Sequence, residues 1–161
     1  MKIVFFGTSS FAIPALRELL NSRHTIVALV TQPDRKTGRR LKVSPPLTKV
    51  LALAHDIPVY QPENASSMES IEYLKKLNAD LFVVASFGQI LKKDILSLPR
   101  AMAITLHGSL LPKYRGAAPT NWAIINGENS SGVTVITYAS KTLMTESTTV
   151  TIQNVRSTRA G

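Results

Sequence analysis

Two stretches of this chain carry residue types and spacings that could do chemistry. The first is 104–119, ITLHGSLLPKYRGAAP. A single histidine, His107, closes an apolar run. Gly108 and Ser109 follow, then Leu110-Leu111-Pro112, the trio Lys113, Tyr114 and Arg115, and Gly116-Ala117-Ala118-Pro119. A strand end that delivers a histidine into an irregular Gly/Pro loop is where α/β proteins place chemistry. A core histidine followed by an ordinary loop fits the same residues. The second stretch is 32–46, QPDRKTGRRLKVSPP, with five cations in the eight residues from Arg35 to Lys42. Arg35, Lys36, Arg39, Arg40 and Lys42 face a single acid, Asp34, and Gly38 with three prolines keeps the segment irregular. Such a basic finger suits salt-dependent contact with a phosphate backbone. A loop kept soluble by its charge has the same composition. No aromatic is interleaved, so base stacking is not indicated.

Strands alternating with helices must position both stretches. Residues 2–6 form a buried strand ended by Gly7. Gly7 serves either the tight turn or the approach of a substrate. Ser9 or Ser10 caps a helix from about Phe11, with Pro14 in its first turn and Ile13, Leu16, Leu19 and Leu20 on one face. This unit opens a Rossmann-like βαβ, but the second and third glycines of GxGxxG are missing, which argues against a dinucleotide site. A second strand over 25–31 leads into the basic stretch. Residues 47–55 read as a helix with Leu47, Val50, Leu51 and Ala54 on one side, and 57–60 as a strand. Ser66-x-x-Glu69 is a capping box for a helix with Met68, Ile71, Leu74 and Leu77 inward. Residues 80–86, DLFVVAS, are nearly continuously apolar, as expected of a parallel strand covered on both faces. Phe87, Gly88, Gln89, Ile90 and Leu91 form a loop into a helix, and the strand 101–107 follows. A helix over 118–127 places Trp122, Ile125 and Ala118 inward and stops at Asn126-Gly127. Residues 132–139 alternate as a strand. The order predicts an open, mainly parallel, three-layer α/β sheet of Rossmann-like type. The pattern then breaks: residues 140–159 hold nine Ser or Thr and one Leu. This tail is expected to be poorly ordered, apart from an edge strand at VTIQNV.

Composition bounds the partners. The 161 residues suit one domain with a proper core, and 44% hydrophobic with 18% charged residues is a globular balance. A formal net charge of +9 favours an anionic partner. The absence of cysteine excludes disulfides and thiolate metal sites. No apolar run reaches the roughly 18–20 residues of a membrane span.

GTSSFAIPAL, TQPDRKTGRR, KVSPP, PVYQPEN, DLFVVASFGQIL and LHGSLLPKYRGAAP, in this order, resemble the folate-dependent formyltransferase family from residue 1 to about 138. HGSLLPKYRGAAP carries the family resemblance, and PDRKTGRR narrows it to the N-terminal catalytic domain of the methionyl-tRNA formyltransferases. The resemblance implies the formyltransferase fold over 1–139, a diverged tail over 140–161, and no counterpart of the family's C-terminal tRNA-binding domain. It implies a cytoplasmic transferase of translation initiation that moves a formyl group from 10-formyltetrahydrofolate to the amino group of methionyl initiator tRNA. No metal and no membrane are implied. A monomer is expected for intact members, and association with another chain where the sheet edge after residue 139 is left open. Phe87, Gly88, Gln89 and Ile90 match the segment that receives the pterin, and Ser109, Leu110, Leu111 and Pro112 match the folate loop. Arg35, Lys36, Arg39, Arg40 and Lys42 match the basic loop that approaches the tRNA acceptor end.

The resemblance also implies a catalytic Asn-x-His pair and a later Asp in a D-x-G-D turn. The i, i+2 spacing puts Asn and His on one face of a strand end, where they meet the developing oxyanion, while Asp helps move the proton. Here His107 is present, but Thr105 stands where the family has Asn, and Met144 and Ser147 occupy the places of the aspartates. Losing one oxyanion donor costs about 10²–10³ in rate. No aspartate follows Asp94. In a shifted reading frame, MTESTTVT can encode YDGVDDGD, which contains the missing element; the coding DNA decides whether a frameshift is present. Three functions stay open. The first is the tRNA formyltransferase with impaired chemistry. The second is a formyltransferase acting on a sugar-nucleotide or purine-precursor amine. The third is a non-catalytic folate- or tRNA-binding fragment.

Overall fold

A computed structural model describes residues 1–37, 42–139 and 147–148. Nine strands and five helices follow one another among them. Strands β1 (Lys2–Gly7), β2 (Thr25–Val30), β5 (Val59–Tyr60), β6 (Leu81–Ala85), β7 (Met102–His107), β8 (Thr134–Ala139) and β9 (Ser147–Thr148) form one sheet in the order β5-β2-β1-β6-β7-β8-β9. The first five are parallel, and β8 and β9 pair antiparallel. Helices α1 (Ala12–Leu20), α2 (Leu47–Leu53), α3 (Met68–Lys76), α4 (Lys93–Leu96) and α5 (Pro119–Ile125) complete the main elements.

The near-continuous apolar runs of β1 and β6 are explained by burial on both faces. Val4 and Phe6 of β1 pack with Phe82, Val84, Leu74 and Ile95 on one side. Ile3 and Phe5 pack with Leu16, Leu29, Ala52 and Val83 on the other. The three-layer expectation is met. Strand numbering runs outward in opposite directions from β1 and β6, so the topological switch point lies between them.

Gly7 is a packing position at the end of β1. A β-carbon there would lie 2.6 Å from the Phe5 ring, 2.8 Å from the Ala12 β-carbon and 3.1 Å from the Ala85 carbonyl. Its bare backbone lets α1 and β6 close on the strand end.

Several expected faces are rotated. Thr48 and Ala52, not Leu47 and Val50, are the buried residues of α2, because the Thr48 hydroxyl donates to the Gly7 carbonyl at 3.0 Å. In α3 the cap is Ser67 rather than Ser66, and it accepts from the Ser70 N–H. Ser70 is itself buried, bonded to the Asn64 carbonyl at 2.9 Å, so Ser70 and Leu74 face inward and Met68 is 71% exposed. Helix α5 buries Ala123 and leaves Trp122 and Ile125 exposed, contrary to expectation. Neither Ser9 nor Ser10 caps α1 through its side chain. The basic stretch is not an irregular loop: β3 (Arg35–Thr37) and β4 (Lys42–Ser44) form an antiparallel hairpin. The edge of β8 is partly covered, since Ser147 and Thr148 pair with Ile136 and Val135. The expected edge strand VTIQNV and the expected disorder of the remaining tail lie outside the described residues.

Gly7→Ala is expected to cost about 1–3 kcal/mol, the usual penalty of overpacking. Urea denaturation measures it, and an unchanged midpoint would contradict the packing role.

Candidate active site

The carboxyl ends of β1, β6 and β7 open into a cleft of about 840 Å³. It lies at the β1/β6 switch point, where open α/β sheets bind ligands. Ser9, Ser10 and Phe11 form one wall, Val84 and Ser86–Gln89 a second, and Thr105–Gly108 with Gly116–Asn121 a third. A volume of this order holds a drug-sized organic ligand, and the mixture of apolar walls with few polar groups suits one.

The turn after β6 is held in an uncommon conformation. Ser86 has φ 48° and Gly88 φ 88°. The Ser86 carbonyl accepts from the N–H groups of Thr8 at 3.2 Å and Ser9 at 3.4 Å, and the Ser9 hydroxyl donates to Ser86 Oγ at 2.7 Å. These bonds over-determine a left-handed serine at the mouth of the cleft. The Thr8 hydroxyl donates to the Phe87 carbonyl at 2.8 Å, tying the loops after β1 and β6 together. Phe87 is buried and packs edge-on against Phe6. The Gln89 carboxamide is fully engaged: its oxygen accepts from the Ala65 N–H and its nitrogen donates to the Pro62 and Glu63 carbonyls.

Thr105, Leu106 and His107 all line the cleft at the end of β7, with Thr105 and His107 on one face of the strand. His107 Nε2 lies 2.9 Å from the Tyr114 carbonyl. A carbonyl only accepts, so Nε2 carries the proton, and in the neutral ring Nδ1 is the basic nitrogen. Gly108 allows close approach here. A β-carbon would lie 3.0 Å from Thr120 Oγ1 and 3.1 Å from the Phe11 ring, both on the cleft wall.

The loop after β7 is bolted on two sides. The buried Ser109 hydroxyl donates to the Lys113 carbonyl at 2.7 Å. The buried Thr134 hydroxyl of β8 donates to the Ser109 carbonyl at 2.8 Å and accepts from the Leu111 N–H at 3.1 Å. At the loop's far end Glu128 Oε1 accepts from Tyr114 Oη at 2.8 Å and Lys113 Nζ at 3.0 Å. The Lys113 bond first, and then the Tyr114 bond, hold the Glu128 carboxyl below its ordinary range. The same carboxylate raises the Lys113 ammonium, and with burial it raises the Tyr114 phenol.

The cleft thus gathers Phe87, Gly88, Gln89, Thr105 and His107. Ile90, 91% exposed, and Ser109, Leu110, Leu111 and Pro112 are not on its wall. Arg35 and Lys36 stand exposed on the hairpin, whose root is fixed by Asp34. Asp34 accepts from Lys49 Nζ at 2.8 Å and from Gln61 Nε2 at 2.7 Å. The Gln61 bond, then that of Lys49, lowers the Asp34 pKa. Arg39 and Arg40 lie outside the described residues, as does the Lys42 side chain. Ser9, Ser10, Ser86, Thr120 and Asn121 also line the cleft, although residue type and spacing do not mark them as ligand contacts. Position just after a strand end was the available signal for the serines. Among the described residues no group of three or more His, Asp or Glu could hold a metal, and no helix is long and apolar enough to cross a membrane.

Fold and cleft together define an open Rossmann-like α/β domain with a cleft at its strand ends. Residues 1–142 match the family model described as formyl transferase, and the chain belongs to that family. It is 54% identical over 136 residues to a methionyl-tRNA formyltransferase of Citrifermentans bemidjiense and 51% identical over 136 residues to one of Clostridioides difficile. Each alignment covers 84% of this chain, and the chain spans 43% and 44% of those relatives. Among solved structures, a phosphoribosylglycinamide formyltransferase of Streptococcus pneumoniae matches with TM-score 0.67 at 17% identity, over 97% of this chain and 85% of that one. A formyltetrahydrofolate deformylase of Pseudomonas syringae matches with TM-score 0.60 at 18% identity, over 95% of this chain and 52% of the other. These two likenesses concern the fold.

Thr134→Val keeps the shape of the side chain but orphans the Ser109 carbonyl and the Leu111 N–H. A loss of about 1–3 kcal/mol is expected in urea denaturation, with Thr134→Ser close to wild type. Equal stability of all three would refute the bolt.

Proposed function

We propose that residues 1–139 are the catalytic domain of a methionyl-tRNA formyltransferase, acting on the amino group of methionyl initiator tRNA, with chemistry impaired in this chain. The observation that carries the reading is His107 on the cleft wall, with its Nε2 committed to the Tyr114 carbonyl and Nδ1 left basic. About 50% identity to methionyl-tRNA formyltransferases supports the acceptor.

10-Formyltetrahydrofolate, when bound, supplies the formyl carbon. The cleft's size and its apolar walls at Phe11, Val84 and Leu106 fit such a cosubstrate. In this reading the Phe87–Gln89 backbone contacts the pterin. Ile90 and the Ser109–Pro112 loop flank the folate from outside the cleft wall. His107 Nδ1 takes a proton from the attacking amine, and the imidazolium so formed donates from Nδ1 to the charge on the formyl oxygen. Thr105 offers one hydroxyl where a carboxamide reaches further. Arg35 and Lys36 of the hairpin, with Arg39, Arg40 and Lys42 beyond, meet the tRNA phosphates. That basic hairpin disfavours a small sugar-nucleotide or purine-precursor acceptor, which needs no such surface. Thr105 favours a second reading, a folate- or tRNA-binding fragment that does not transfer.

Single-turnover assays with 10-formyltetrahydrofolate and methionyl-tRNA separate these readings. Slow transfer that Thr105→Asn accelerates by on the order of 10² and His107→Ala abolishes is the expected outcome. Binding without transfer in both wild type and Thr105→Asn favours the fragment, and transfer to a small amine alone overturns the tRNA assignment. Replacing both Arg35 and Lys36 with Ala should weaken tRNA binding. It should also flatten the dependence of log K on log[salt] by about 0.7–0.9 for each phosphate that the hairpin no longer neutralises. An unchanged slope removes the hairpin from the interface.

A further inference from the structure

A carboxylate outside the cleft is connected to His107 through an unbroken series of bonds. Helix α5 ends at Ile125 with Asn126 as its C-cap, and Gly127 adopts φ 67°. The Gly127 N–H donates to the Ile124 carbonyl and the Glu128 N–H to the Ala123 carbonyl, both at 3.0 Å. This paired closure, with a left-handed glycine, is a Schellman motif. It fixes the backbone of Glu128 beside the loop that follows β7. From there Glu128 Oε1 accepts from Tyr114 Oη at 2.8 Å and from Lys113 Nζ at 3.0 Å.

Tyr114 needs such an anchor. Its φ of 54° is uncommon for a bulky residue. That conformation aims the Tyr114 carbonyl, which accepts from His107 Nε2 at 2.9 Å. The Ser109 hydroxyl reaches the adjacent Lys113 carbonyl at 2.7 Å and the Tyr114 carbonyl at 3.4 Å. The partner of one imidazole nitrogen decides which tautomer the ring adopts. Whatever holds the Tyr114 carbonyl therefore sets the proton on Nε2 and the orientation of the ring.

We propose that Glu128 is a positioning residue: through Tyr114 it holds the carbonyl that fixes the Nε2–H tautomer and ring orientation of His107. Its importance for turnover rests on the role given above to His107. Its effect on the ring does not. An exposed Lys–Glu pair that merely tethers a loop contributes little to stability and leaves the imidazole untouched.

Long-range ¹⁵N–¹H correlation spectra of the full chain test this at a pH where the imidazole is neutral. The chain has three histidines, so loss of one set of signals in His107→Asn assigns the ring. The expected wild-type spectrum is a single Nε2–H tautomer. Glu128→Ala should convert it to an averaged mixture of tautomers. Tyr114→Phe should do the same, and the double variant should add nothing further. Glu128→Gln keeps an acceptor for the Tyr114 hydroxyl and should retain most of the wild-type signature. If Glu128→Ala does not fold, Tyr114→Phe, which removes a single hydroxyl, carries the test. Folded variants whose His107 signals match wild type overturn the proposal. No folate or tRNA enters the measurement, so its failure is distinct from failure of the formyl-transfer reading.

Discussion

Burial of the central strands on both faces is the constraint on which the rest depends. Alternate residues of β1 divide between two cores: Ile3 and Phe5 enter one, Val4 and Phe6 the other. With both faces sealed, neither offers room for a ligand. The carboxyl ends remain, and there the chain diverges at the β1/β6 switch point. Helices can seal the faces only by close approach, and Gly7 permits it where α1 and β6 converge. The same crowded end then needs hydrogen bonds for its backbone. Thr8 and Thr48 supply them, and Ser9 and Ser86 bond hydroxyl to hydroxyl beside them, so hydroxyl side chains concentrate beside the cleft.

The loop after β7 solves a different problem. It must leave a parallel strand, turn through Leu110-Leu111-Pro112 and return against the cleft at Gly116, with little helix or strand to stiffen it. Side chains take over that work. Thr134 holds the near limb from β8, Ser109 ties the loop across itself, and Glu128 holds the far limb from beyond α5. The bonds lie on different elements, and together they leave the His107 ring with a fixed partner. Rigidity comes to the site from polar side chains fastened to the scaffold, which keeps the open cleft free of supporting apolar bulk.

Hydrophobic pattern located the elements well and their faces less well. Each of the main strands and helices lies where the periodicity placed it, within a few residues. Three helices nevertheless bury a small or hydroxyl residue, beside Leu74 in α3, where apolarity ranks a larger neighbour as core. Thr48 turns α2 by bonding to the Gly7 carbonyl, Ser70 turns α3 by bonding to Asn64, and Ala123 seats α5. Close packing favours small residues, and a buried hydroxyl with a partner costs little. Leu47, Met68 and Trp122 are left outside for that reason, though apolarity alone ranks them as core. The strands of the basic hairpin, three residues each, are too short for a period to show in the sequence.

The sequence by itself determined the α/β class, the order of strands and helices along the chain, the basic stretch and the histidine that ends β7. These follow from local composition and from short-range spacing, which survive without knowledge of distant partners. It also marked Thr105 as a departure from the expected pair. Only the tertiary structure decided which residues share the cleft, since that depends on parallel strands far apart in the chain ending side by side. Thr105 and His107 meet Ser86 and Asn121 there, while Ser109 to Pro112 do not. The proton on His107 was decided the same way: the group that binds Nε2 is a backbone carbonyl, and a carbonyl's direction is written in no residue type.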